Sequence, residues 1–205
     1  MTLATITYPG RVTAPKARAP RTRLGELIWR AYNYLPTELG NELLDALSSA
    51  CILESSLHLV HLRADGHRTD HGIVSRKVIT DAGAGAVVNA FRNTFELELM
   101  NYHALGTGST AEAAAQTTLV TELTTQYSTD NVRPTGAQSA PAANQYQSVA
   151  TITVDANVSI TEHGLFSQAA APGGTMWDRS VFTALALNSG DSIIATYIAT
   201  ITSGG

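Results

Sequence analysis

Residues 191–202, DSIIATYIATIT, sort into two sets when read with a period of two. Ile194, Thr196, Ile198 and Thr200 fall on one side, and Ile193, Ala195, Tyr197, Ala199 and Ile201 on the other. A period of two places successive side chains on opposite faces of an extended chain, which no helix can do. The second set can pack a core while the threonine-bearing set faces outward or toward a partner. Three further stretches precede it: NQYQSVATITV at 144–154, NVSITEH at 157–163 and TMWDRSVF at 175–182. Turn signals at Asp155–Asn157, Pro172–Gly174 and Gly190–Asp191 separate them. Evenly spaced short strands predict a mainly β protein built on an antiparallel β-sandwich, jelly-roll-like in outline. The single Cys51 excludes an internal disulfide framework, so packing or assembly must supply the stability.

The sandwich is expected to occupy residues 72–205. Ile73, Val74, Val78 and Ile79 lie in a β-branched run that reads as a strand. Thr80 or Asp81 caps a short helix over 82–92, with Val87, Val88 and Phe91 as its buried side. MNYHALGTGSTAE at 100–112 reads as a strand ending in a Gly-Thr-Gly turn. That turn has neither the spacing nor the lysine of a phosphate loop, so its glycines are architectural. Residues 128–143, STDNVRPTGAQSAPAA, read as a long exposed loop.

Charge is distributed unevenly. Residues 1–92 hold 11 of the 13 Lys and Arg against eight acids, whereas residues 93–205 hold only Arg133 and Arg179 against nine. The basic residues concentrate in PGRVTAPKARAPRTR at 9–23, where Arg11, Lys16, Arg18, Arg21 and Arg23 alternate with three prolines. Proline spacing makes residues 1–23 an extended arm, able to reach roughly 45 Å over its 15 basic-rich residues. Without interleaved aromatics, nucleic acid is not the expected partner. An acidic protein surface is, including the acidic half of another copy. Residues 24–71 read as a helical attachment segment. Two helices are expected over 24–62, separated by Pro36, with Leu39, Leu43, Leu47 and Cys51 forming an apolar stripe. Trp29, Tyr32 and Tyr34 are candidate interface anchors. No apolar run approaches the roughly 20 residues that span a bilayer.

Four histidines, His58, His61, His67 and His71, lie close together in sequence with Asp65 and Asp70. Imidazoles in such number suit a metal. The Ala-Asp-Gly turn explains the polarity of RADGHRTDHG at 63–72 as a loop without one, and His58 and His61 suit the tail of a helix. No metal and no cofactor is assigned.

SITEHGLFSQ at 159–168 places Glu162 beside His163 in a strand-like run and interrupts it with Gly164. An acid–base pair must address one substrate atom, and neighbours on a strand point apart. If Ile160 faces the core, Glu162 shares its side and needs a partner there. Arg179, set among apolar residues in MWDRSVF, is the expected one, forming a buried structural ion pair. Arg133, by contrast, reads as a surface residue of the loop. No Gly-x-Ser-x-Gly elbow is present, and Cys51 sits in an apolar stripe, so the chain does not read as an enzyme.

VITDAG, YHALGTGSTAEAAAQTTLVTEL, ITEHGLFSQ, GGTMWDRSVF and GDSIIATYIATI, in that order, resemble a β-sandwich module of tailed-bacteriophage virion structural proteins: decoration, collar and tail-fibre-associated proteins. The resemblance covers about residues 72–205. His163 departs from it, standing where alanine is expected after the glutamate. It implies a non-enzymatic virion protein, made in the host cytoplasm and present in many copies. Its expected partners are copies of itself and a major capsid or connector protein. A capsid decoration role anchored by the arm is the leading expectation, with a collar, neck or tail-fibre anchor next. The other class is a receptor- or carbohydrate-binding module using the 128–143 loop and Trp177.

Overall fold

In a computed structural model the described residues are 52–76 and 78–203. The basic arm with Arg11, Lys16, Arg18, Arg21 and Arg23, the aromatic residues Trp29, Tyr32 and Tyr34, and Cys51 lie outside them. Ile52–Thr202 forms one compact unit. Its elements run β1 (Ile52–Leu62), β2 (Arg68–Ser75), α1 (Asp81–Phe91), a 3-10 turn (Leu97–Leu99), β3 (Tyr102–Gly106), β4 (Ala137–Ser139), β5 (Gln145–Thr153), β6 (Val158–Phe166), β7 (Met176–Leu187) and β8 (Ser192–Thr202). All pairings are antiparallel. One sheet has the order β2-β1-β8-β5-β4 and the other β3-β6-β7. The fold is the antiparallel β-sandwich that the alternation predicts.

The strand β8 is the spine of the larger sheet. Ile193, Ala195, Tyr197 and Ala199 are buried and their neighbours half-covered, so a period of two in sequence becomes an inside and an outside. Only Ile201 of the inward set is exposed. It pairs on one side with β5 and on the other with β1, in unbroken register from Ile52↔Thr202 to Leu62↔Ser192. The principal core joins both sheets: Leu57 and Leu59, Ile152, Ile193 and Ala195 meet Leu105, Ile160, Phe182 and Leu187. A second cluster at the other end holds Met100, Leu165, Trp177, Tyr197 and Ala199 with Ala86 of α1.

Several expectations need correction. Ile52–Leu62 is a strand, not the tail of a helix, and the expected loop at 63–72 is a hairpin whose second strand begins at Arg68. The sandwich unit therefore starts at Ile52, some twenty residues before the expected boundary at 72. The cause is tertiary: β1 satisfies its backbone along the whole length of β8, which outweighs the leucine spacing. Thr80 does cap α1, accepting from Gly83 N at 2.9 Å. The buried side of α1, however, is Gly83 and Ala86, whereas Val88 and Phe91 are 59% and 88% exposed. Gly83 packs on the backbone of Trp177 so closely that a Cβ would lie 2.5 Å from its carbonyl oxygen, and only the small-residue face fits. The strand β6 also runs on through Gly164 to Phe166.

Candidate functional site

Glu162 and Arg179 meet as expected. Both side chains are fully buried, and Arg179 Nε donates to Glu162 Oε2 at 2.8 Å. Arg179 Nη2 lies 2.7 Å from the same oxygen, closing the ion pair. The carboxylate also accepts from the backbone N–H groups of Gly108 (3.0 Å) and Thr121 (2.8 Å) at Oε1 and Val120 (3.1 Å) at Oε2. Arg179 Nη1 donates onward to Thr110 O and Gln116 Oε1, each at 3.0 Å. The pair thus stitches the 107–121 segment onto the outer side of the smaller sheet. A Cβ at Gly106 or Gly108 would stand 2.5 or 2.6 Å from Glu162 Oε1, so both glycines are required by this close approach.

Ile160 and Glu162 nevertheless do not share surroundings. The β6–β7 pairing shifts register between them, Ile160 opposing Leu185 and Glu162 opposing Val181. Ile160 joins the inter-sheet core, whereas Glu162 pairs across from Gly106 beneath the covering segment. The irregularity breaks the simple alternation on which the expectation rested.

Arg133 is no surface residue. It is 1% exposed, with Nε and Nη2 held by Glu122 at 2.6 and 2.8 Å and Nη1 donating to Gln168 O and Gly173 O. Its guanidinium lies 3.7 Å from the centre of the Phe166 ring, a cation–π contact. The 128–143 stretch is accordingly pinned by Arg133 and contributes the short strand β4 at Ala137–Ser139. Trp177 is 7% exposed, its indole N–H donating to Tyr197 Oη at 2.7 Å, which leaves it no free face for a sugar.

The histidines of the first hairpin separate. His58 Nε2 lies 2.8 Å from Asp70 Oδ1, and His61 Nε2 lies 2.9 Å from Asp191 Oδ2. His71 stacks near His61 with ring centres 6.4 Å apart, and the His67 backbone N–H donates to Asp65. Among the described residues no group of three or more His, Cys, Asp or Glu side chains is arranged to hold a metal. Asp191 organises the sandwich corner, accepting also from Asn188 N and Ala64 N. Those backbone bonds, the one from Asn188 foremost, hold its carboxyl at about 2, against the upward push of its burial.

Sequence reasoning missed the most distinctive feature, a belt of buried polar side chains through the interior. Six of the eight strands contribute: Ser55 from β1, Tyr197 from β8, Ser148 from β5, His103 from β3, His163 from β6, and Asp178 with Ser180 from β7. Asp178 Oδ2 accepts from Ser55 at 2.7 Å and Tyr197 at 3.3 Å, and its Oδ1 from Ser180 at 3.1 Å. Beside it, Ser148 Oγ lies 2.8 Å from His103 Nε2, and His103 Nδ1 lies 3.0 Å from His163 Nε2. Burial raises the Asp178 carboxyl to about 7 despite its three donors, and lowers His103 to about 3. Burial, then the neighbouring His103, depresses His163 well below the ordinary histidine value.

Ser148, His103 and His163 are connected like a nucleophile with its base and orienter, so the direction of the protons decides the chemistry. Each neutral imidazole carries one proton. His163 Nδ1 has no hydrogen-bond partner. A buried bare acceptor costs less than a buried bare N–H, which favours the tautomer with the His163 proton on Nε2 and His103 Nδ1 accepting it. The His103 proton then sits on Nε2 and is donated to Ser148 Oγ. The belt joins strands of the two sheets through buried hydrogen bonds.

The fold and these sites define a class, an antiparallel β-sandwich with a hydrogen-bonded polar interior. No family model matches the sequence, and no curated protein matches it significantly.

Proposed function

We propose that the chain is a non-enzymatic structural protein of a bacteriophage virion, present in many copies as a capsid decoration protein anchored by its N-terminal arm. The observation that carries this reading is the use made of Glu162. Its carboxylate receives three backbone N–H groups and one guanidinium. Arg133, Asp178 and Asp191 are likewise bound to strands and loops of the unit they sit in. Charged groups committed in this manner brace a shell. The ordered segments resembling tailed-bacteriophage virion modules supply the biological setting, and the basic proline-spaced arm supplies a means of attachment.

Quantitative mass spectrometry of purified particles encoding this chain tests the reading. Hundreds of copies per particle support head decoration. About a dozen or fewer favour a collar, neck or tail-fibre anchor, and absence from particles overturns the virion assignment.

A further inference from the structure

The C-terminal end of α1 and the 3-10 turn leave apolar surface uncovered. Phe91 is 88% and Val88 59% exposed, and Leu97 and Leu99 are 38% and 39% exposed. Beside them Asn93, Thr94, Phe95, Glu96 and Leu99 line a groove of about 430 Å³. Its lining mixes apolar Phe95 and Leu99 with polar Asn93, Thr94 and Glu96, and exposed apolar surface interleaved with polar groups marks a site for a partner.

Its charges select the partner. Glu96 lines the groove and is exposed, Glu98 is exposed in the adjoining 3-10 turn, and Arg92 is the neighbouring cation in sequence. The carbonyl end of α1 faces this region with Arg92 at its C-cap, so the two glutamates leave a net negative charge of one among these side chains. A ligand that is cationic, extended and periodically apolar fits such a place. Proline-rich segments with interspersed arginines meet that description, because their preformed extended helix docks on aromatic-lined grooves with little loss of entropy. Residues 9–23, outside the described residues, hold three prolines and five cations with no acid. We propose that the groove between α1 and the 3-10 turn receives the proline- and arginine-bearing arm, residues 9–23, of a second copy of this chain. This rests on the reading of the protein as a multi-copy assembly component and assigns the surface through which copies connect.

Sedimentation of the full chain over a concentration series provides the test. Self-association is expected, weakening about tenfold or more in Phe91→Ser, whose exposed side chain supports no packing. The Glu96→Lys, Glu98→Lys double variant and the Arg18→Glu, Arg21→Glu double variant should each associate poorly alone and associate when mixed. Association unchanged in Phe91→Ser and in both charge variants overturns the groove assignment while leaving an assembly role standing. A full chain that stays monomeric at every concentration overturns the second copy as occupant. Particle copy number, measured separately, then decides whether the assembly role also falls.

Discussion

Ser55 on β1 donates a 2.7 Å hydrogen bond to Asp178 on β7, linking the two sheets through a fully enclosed carboxyl group. Asp178 therefore reports directly on how the sheets are held, and its protonation makes stability depend on pH.

The sign follows from the shifts. Asp178 is raised from 3.8 to about 7, so its contribution is complete below 3.8 and lost as pH rises through about 7. His103 is lowered from 6.5 to about 3, so its contribution is present above 6.5 and lost as pH falls toward 3, and His163 acts in the same direction. Each proton changes stability by about 1.4 kcal/mol per pH unit in its window. Stability measured by urea denaturation should rise between about pH 4 and 6.5, peak near 6.5, and fall above it. Asp178→Asn should remove the fall and steepen the rise. A variant whose profile merely parallels the wild type contradicts the assignment.

Removing one member of the Glu162–Arg179 pair strands the other charge in the interior. Arg179→Ala and Glu162→Gln should each cost about 3–5 kcal/mol, and combining Glu162→Gln with Arg179→Met should cost less than the sum. Arg133→Ala should fall in the same range as Arg179→Ala, because it too is enclosed and leaves Glu122 without its guanidinium. Equilibrium unfolding of the four variants distinguishes this from surface pairs, whose loss is worth about 1 kcal/mol or less.

The two glycines of α1 should behave oppositely. Gly83→Ala drives a methyl into the Trp177 backbone and should destabilise by about 1–3 kcal/mol. Gly85→Ala meets nothing within 4 Å and should stabilise the helix by about 0.5–1 kcal/mol. Thermal melts of the two single variants suffice. Similar effects from both would mean that α1 does not pack on β7 through Gly83.

The β8 strand was legible because its alternation of Ile, Ala and Tyr with Thr admits one periodicity only. The β1 strand was not. The four-residue spacing of Leu39, Leu43, Leu47 and Cys51 carries a helical pattern up to its edge, and only pairing along β8 resolves 52–62 as extended. Glu162 and Arg179 could be matched because each interrupts an apolar run, but Arg133 sits among Ser, Thr and Pro and looks like loop. The Phe91 error has a related origin. Helix periodicity identifies an apolar face, whereas the glycine at 83 decides which face can approach β7. The polar belt had no local signal at all, since its seven residues come from six strands and become neighbours only when the sheets close.

Amide hydrogen exchange at Gly108, Val120 and Thr121, the three backbone donors to the buried glutamate, tests most directly whether the internal charges fasten the shell. In the wild type these amides should be strongly protected. In Glu162→Gln they should exchange at least about tenfold faster while those of β1 and β8 keep their protection. Rapid exchange of all three in the wild type, unchanged by the substitution, would show that the carboxylate holds nothing in place.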